Sequence, residues 1–176
     1  MIETVMPIKC MKRLGDLLMP SEFYLVLKQP APLAGMIYPY YSPWQTLSDE
    51  GFHSVVCLTG ASPSYNPAPM SILKAVRFKD LCGGTYPDQI TIEESELQDI
   101  VSAIKSELNL GRGVVVHCTG GTGRTGTVIA CTLRALGMPV PDVLHYMQLL
   151  NVSRGKYRGW PESEWQSEQV RLWPDN

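Results

Sequence analysis

Residues 114–126 read VVVHCTGGTGRTG. Three β-branched valines in a row favour a strand, and an unbroken apolar run marks a strand covered on both faces. Glycines then replace side chains at 120, 121 and 123, and an apolar segment, TGTVIACTLRAL, runs from Thr125 to Leu136. This order predicts a strand, a tight loop and a buried helix. Loop N–H groups and the positive end of the helix would converge on one point, which is an anion site. Cys118 opens that loop and Arg124 closes it, so a thiol lies at its floor and a fixed positive charge at its far side.

Outward from this unit, 91–110 is the strongest helical pattern. Leu97, Ile100, Val101, Ile104 and Leu108 share one face, Thr91 and Glu94 have capping-box spacing, and Gly111 ends the helix. Before it, strands are expected over 23–28 (FYLVLK), 33–39 (LAGMIYP), 53–58 (HSVVCL) and 72–78 (ILKAVRF), the first two as an antiparallel pair. Ser42 and Pro43 signal a short helix over 44–49, serine capping and proline in the first turn. The proline-rich stretch 61–70 and the glycine-rich stretch 79–89 are loops. After Gly137, helices are expected from Pro141 and over 163–173, with a basic turn between. Residues 1–20 show no period and read as an irregular arm. The whole 176 residues fit a single domain of α/β class, a central mostly parallel sheet flanked by helices, with the glycine loop at a carboxyl edge where such sheets bind ligands.

Composition narrows the partners. Net charge is −2 and charged residues make up 18%, so no global attraction to nucleic acid or an anionic membrane is expected, and any anion recognition is local. No apolar run is long enough to span a membrane, and the first residues lack a signal-peptide pattern. Five cysteines without CxxC spacing suit a reduced, cytoplasmic compartment better than disulfides or a zinc site. A monomer with no metal and no cofactor is expected.

A cysteine thiol ordinarily titrates at about 8.5. At a helix N-terminus, among loop N–H groups and beside Arg124, its thiolate would be favoured. The same donors suit three phosphoryl oxygens, two of them bidentate to Arg124. The thiolate then lies in line with the leaving oxygen. A Walker P-loop fails for want of its lysine, and Gly121–Gly126, formally GxGxxG, has no acidic ribose partner downstream.

The run His117-Cys118-Thr119-Gly120-Gly121-Thr122-Gly123-Arg124-Thr125 resembles the active-site motif of the cysteine-dependent protein tyrosine phosphatases, over about residues 30–173 of this chain. The chain is most similar to the dual-specificity branch and its kinase-associated members. The resemblance implies a protein tyrosine phosphatase-like fold and a phosphocysteine route without metal. Cys118 would be the nucleophile, and Arg124 with Thr119, Gly120, Gly121, Thr122 and Gly123 the phosphate cradle. His117 would hold the loop and tune the thiol, and Thr125 would help it leave. A loop aspartate would be the general acid and then, as a carboxylate, would activate water for the second step, Asp80 preferred to Asp88 because Gly83-Gly84-Thr85 and Pro87 follow it, though with three residues inserted relative to the family order. The implied substrate is a phosphoprotein carrying phosphotyrosine, with phosphoserine and phosphothreonine also open. A phosphoinositide or inositol phosphate substrate is the alternative, disfavoured by the lysine-free loop, and an RNA triphosphatase or a catalytically silent phosphate-binding module stand further off.

Weaker signals surround this site. Cys57, or Cys82, could trap an oxidised Cys118, against a plain core role for Cys57. Gln166 or Gln169 could orient water, Arg154, Lys156 and Arg158 could form a basic rim, and Tyr65 could face substrate from the proline-rich loop. Each also has a purely structural reading. His53 and His145 read as structural.

Overall fold

The computed structural model describes residues 2–4, 13–14, 17–18, 23–156 and 159–174. Eight strands and five helices are present among them: β1 (Glu3–Thr4), β2 (Arg13–Leu14), β3 (Leu17–Leu18), β4 (Tyr24–Gln29), β5 (Leu33–Met36), α1 (Trp44–Asp49), β6 (Phe52–Cys57), β7 (Ser71–Ala75), α2 (Ile90–Asn109), β8 (Gly113–His117), α3 (Gly123–Ala135), α4 (Val140–Ser153) and α5 (Glu164–Leu172). Six of the strands form one sheet in the order β1-β4-β5-β8-β6-β7. β5, β8, β6 and β7 run parallel, while β1 and β4 add an antiparallel edge. The expected α/β class and mostly parallel sheet are what the chain adopts.

β8 is the middle of that sheet and is buried along its length. Its side chains alternate between two cores, as a pleated strand requires. Val114 and Val116 face the core built with α2, α3, α4 and α5, and Val115 faces a smaller one with Trp44, Leu47 and Phe52. The five α2 residues expected to share a face are all buried in the larger core, each worth about 1.5–3 kcal/mol against exposure.

Several boundaries differ from expectation. α2 begins at Ile90 with Gln89 as N-cap, so Thr91 lies in its first turn and no side-chain cap forms. Glu94 instead accepts from Gln169 Nε2 at 3.1 Å. At α1 the N-cap is Pro43 rather than Ser42. The arm expected to be irregular contributes β1, paired with the outer edge of β4, and the β2–β3 pair; the rest of that expectation lies outside the described residues. No helix among the described residues is long and apolar enough to cross a membrane.

Candidate active site

Parallel pairing fixes where the loop emerges. His117 sits opposite Met36 of β5 and Cys57 of β6, so Cys118 leaves the sheet at its carboxyl edge between two neighbours. α3 starts at Gly123, two residues before the expected Thr125, which puts Arg124 in its first turn. Cys118 is 2% exposed. Thr119 and Gly120 are exposed, whereas Gly121, Thr122 and Gly123 are buried.

The loop is fixed from outside. Gly121 has φ +63°, and a Cβ there would come within 2.6 Å of the Met36 carbonyl oxygen, so only glycine fits. Its carbonyl accepts two hydrogen bonds, from Tyr24 Oη at 2.8 Å and Arg154 Nη1 at 2.9 Å. The Arg154 guanidinium also stacks on the Tyr24 ring, 4.2 Å from its centre. Arg154, open between a basic rim and a solvated turn, is neither: it is buried against the back of the loop. Lys156 does line the cavity in front, and Arg158 lies outside the described residues. On the other flank the Tyr38 N–H donates to the Thr119 carbonyl at 3.1 Å.

His117 is fully buried, its Nε2 hydrogen-bonded to the Tyr65 hydroxyl. Burial, with a further push from Arg124, lowers its pKa to about 4 against an opposing backbone interaction with Cys118. The imidazole is therefore neutral at physiological pH. Tyr65 packs on the Trp44 ring at 4.8 Å. The proline-rich loop thus reaches the site through Tyr65, but the hydroxyl faces His117 rather than solvent. Thr125 is buried, and its hydroxyl makes no hydrogen bond among the described residues.

Of the two candidate aspartates, the fold brings Asp80 to the loop. Its Oδ2 accepts from Arg124 Nη2 at 2.9 Å, and its Oδ1 from the Cys82 N–H at 3.1 Å. Asp88 pairs on the surface with Lys79 at 2.7 Å. Arg124 Nη2 also reaches Thr119 Oγ1 at 3.0 Å. Asp80, Cys82, Cys118, Thr119, Arg124, Lys156 and Glu162 line one cavity of about 330 Å³.

Glu162 escaped the sequence reading. The Trp160-Pro161-Glu162 run before α5 was the available signal, but nothing local ties position 162 to position 123. In space the Glu162 carboxylate lies against Gly123, where any Cβ would overlap it. Burial and the neighbouring Asp80 raise its pKa, partly offset by Arg124. The two glutamines considered for water orientation are engaged elsewhere. Gln166 Oε1 accepts the Glu162 N–H at 2.7 Å, and Gln169 binds Glu94. Cys57 bonds Thr59 Oγ1 at 3.3 Å, and Cys57, Cys82, Cys118 and Cys131 are free thiols.

A recessed thiol, a guanidinium and two carboxyls around a cavity of this size can bind a tetrahedral oxyanion, attack it and move protons. A family model described as Swiss Army Knife protein, DSP-PTPase phosphatase domain, matches residues 25–164. Among solved structures, the chain resembles Tk-PTP in its active form at 21% identity and TM-score 0.58, covering 79% of this chain and 88% of that one. P. aeruginosa TpbA matches at 18% identity and TM-score 0.57, over 84% and 83% of the two chains. The human tyrosine phosphatase-like serine/threonine/tyrosine-interacting protein matches at 17% and 0.58, over 79% and 88%. These likenesses are of fold.

Proposed function

The chain belongs to this family of dual-specificity-type tyrosine phosphatase domains, and from that footing we propose that it hydrolyses phosphate monoesters on proteins through a phosphocysteine. Residues 1–176 are read as one catalytic domain acting as a monomer, on phosphotyrosine and also on phosphoserine or phosphothreonine. The observation that carries this reading is the cavity in which Cys118, Arg124 and Asp80 meet, although Asp80 comes from a loop far from the other two in sequence. A silent binding module would not need an acid there.

In the first step Cys118 attacks phosphorus. Arg124 and the loop from Thr119 to Gly123 hold the phosphoryl oxygens as charge shifts between attacking sulfur and leaving oxygen. Arg124 must trade its contact with Asp80 for the phosphate; Asp80, freed of the guanidinium, takes up a proton from solvent and gives it to the leaving oxygen as the P–O bond breaks. Neutral His117 takes no part in proton transfer to substrate; it fixes the strand end from which Cys118 projects. Thr125, buried with its hydroxyl unpartnered among the described residues, is the donor assigned to the departing thiolate. The lysine-free loop and the two cavity carboxyls favour a single phosphate over a polyphosphorylated inositol. Support for phosphotyrosine also comes from P. aeruginosa TpbA, a fold relative solved in complex with pTyr.

The deciding assay is vanadate-sensitive release of phosphate from phosphotyrosine peptide. Cys118→Ser is expected to abolish it. Asp80→Asn should slow turnover of an alkyl phosphate roughly 100-fold or more, with Asp88→Asn within about twofold of wild type, since its exposed ion pair contributes little. An inactive wild-type enzyme overturns the reading, and a large loss in Asp88→Asn without one in Asp80→Asn overturns the choice of acid.

A further inference from the structure

Glu162 is the carboxyl in the Cys118 cavity that has no part in the chemistry assigned to Cys118, Arg124 and Asp80. Its backbone is held from both sides. The Gln166 side chain accepts its N–H at 2.7 Å, and Asn151 Nδ2 donates to the Trp160 carbonyl at 2.7 Å. The Trp160 ring is fixed in turn, its Nε1 donating to Thr127 Oγ1 at 3.0 Å. The Glu162 carboxylate oxygens make no hydrogen bond or ion pair with the described residues, although Arg124 and Lys156 line the same cavity. A second cavity, of about 630 Å³, adjoins the first: Cys82 and Glu162 line both, and Gly83, Gly84, Trp160 and Pro161 line the second alone. Its walls come from the loop that carries Asp80 and from the segment leading into α5. Tyr86 Oη also ties that loop to α5, donating to Glu164 Oε2 at 3.3 Å.

Charge makes this arrangement selective. In the empty site, burial and Asp80 already work against a negative charge on Glu162, and Arg124 offsets them in part. When substrate arrives, Arg124 turns to the phosphate, and the phosphoryl group brings more negative charge into the cavity that Glu162 lines. A substrate with nothing else to offer meets repulsion there, whereas one with a cation next to its phosphate relieves it. The second cavity suits such a cation on a long stem. Trp160 and Pro161 present apolar surface to methylenes, and the carboxylate stands where the two cavities meet. We propose that Glu162 is a specificity residue that binds an arginine or lysine side chain next to the phosphorylated residue, so that the preferred substrate is a phosphoprotein with a basic residue flanking its phosphorylation site. This rests on the phosphatase reading and narrows its substrate. The contact is a charge-assisted hydrogen bond from the guanidinium or ammonium to the Glu162 carboxylate. Because the backbone of Glu162 is fixed before substrate binds, less ordering is lost on contact.

Phosphotyrosine peptides that differ only at one flanking position test this, with arginine, citrulline, alanine or glutamate placed on each flank in turn. Citrulline keeps the shape of arginine without its charge. On at least one flank, wild-type enzyme should favour arginine over citrulline by about fivefold or more in kcat/KM, with glutamate the poorest. Raising the salt concentration should shrink the preference. Glu162→Gln should bring arginine and citrulline within about twofold of each other, and Glu162→Lys should turn the order round in favour of glutamate. These are ratios within one variant, so a loss of turnover common to all substrates cancels. Affinities of Cys118→Ser for the same peptides should follow the wild-type order. Wild-type rates that show no arginine preference on either flank, or a preference that Glu162→Gln retains, overturn the assignment and leave the phosphatase reading standing. A wild-type enzyme that releases phosphate from none of the peptides overturns the phosphatase reading, and the proposal falls with it.

Discussion

Burial strips water from the His117 imidazole and Arg124 adds a like charge, so protonation is pushed from 6.5 to about 4. An unfolded chain would protonate this histidine near 6.5 while the folded one does not. The depressed value therefore costs stability as pH falls through that window, and the cost stops growing below about 4. It amounts to on the order of 3 kcal/mol in total. Urea unfolding at pH 7 and pH 4.5 should show this slope, and His117→Asn should remove its share of it. A slope unchanged in His117→Asn would refute the buried neutral histidine. At this scale Cys118 and Arg124 were legible as a candidate nucleophile and phosphate clamp because they lie in one continuous run. The tie between His117 and Tyr65 was not, since the two are 52 positions apart and share no pattern. Glu162 was hidden for the same reason, and so was Arg154, whose charge suggests a surface whereas its fork suits a buried carbonyl.

Among elements, the join of β8, loop and α3 was readable from residue type alone: valines, glycines, then an apolar helix. Helix starts were less so. Thr91 and Glu94 satisfy the capping-box spacing, yet one extra residue of helix at Ile90 moves Thr91 inside the first turn. Glu93 then accepts the Lys79 N–H at 3.0 Å, and Glu94 is drawn to α5. Tertiary partners outbid the local cap. The clamp behind the loop follows the same logic, because it joins β4, the loop and the end of α4. Arg154→Met should remove a charge-assisted hydrogen bond and the stacking on Tyr24, costing about 2–3 kcal/mol in unfolding free energy. It should also lower kcat/KM at least tenfold with Cys118 and Arg124 intact. Arg154→Lys should not restore it, as a point charge cannot both stack and donate in a fork. Full activity in Arg154→Met would mean that the loop keeps its shape unaided.

Over the whole molecule, the sheet's parallel half carries the site and its antiparallel end faces outward. β4 is a six-residue strand, and among the described residues β1 covers its outer edge through Glu3 and Thr4. Deleting residues 1–22 should leave the fold and the cavity in place, because none of the cavity residues comes from that segment. It should expose the β4 edge, lower Tm by a few degrees (about 1 kcal/mol in a domain of this size) and promote self-association. Scanning calorimetry and light scattering of the shortened chain would show both, and loss of the folded state altogether would show that the arm carries more of the stability. The sheet order was only partly legible. Apolar runs identify strands, but which strand lies beside which depends on how crossings pack, and β8, last in sequence, ends up in the middle.

The two hydrogen bonds on the Gly121 carbonyl reach further than the loop they hold. A planar trans peptide points its C=O and the next N–H in opposite directions. Anchoring that oxygen on Tyr24 and Arg154 thus aims the Thr122 N–H away from them. One anchor comes from near the start of the chain and the other from beyond its middle. A growing or half-folded chain can carry the whole cysteine motif and still leave this peptide plane free to rotate. On the proposed function, phosphate binding therefore depends on both anchors at once, Tyr24 from β4 and Arg154 from the end of α4.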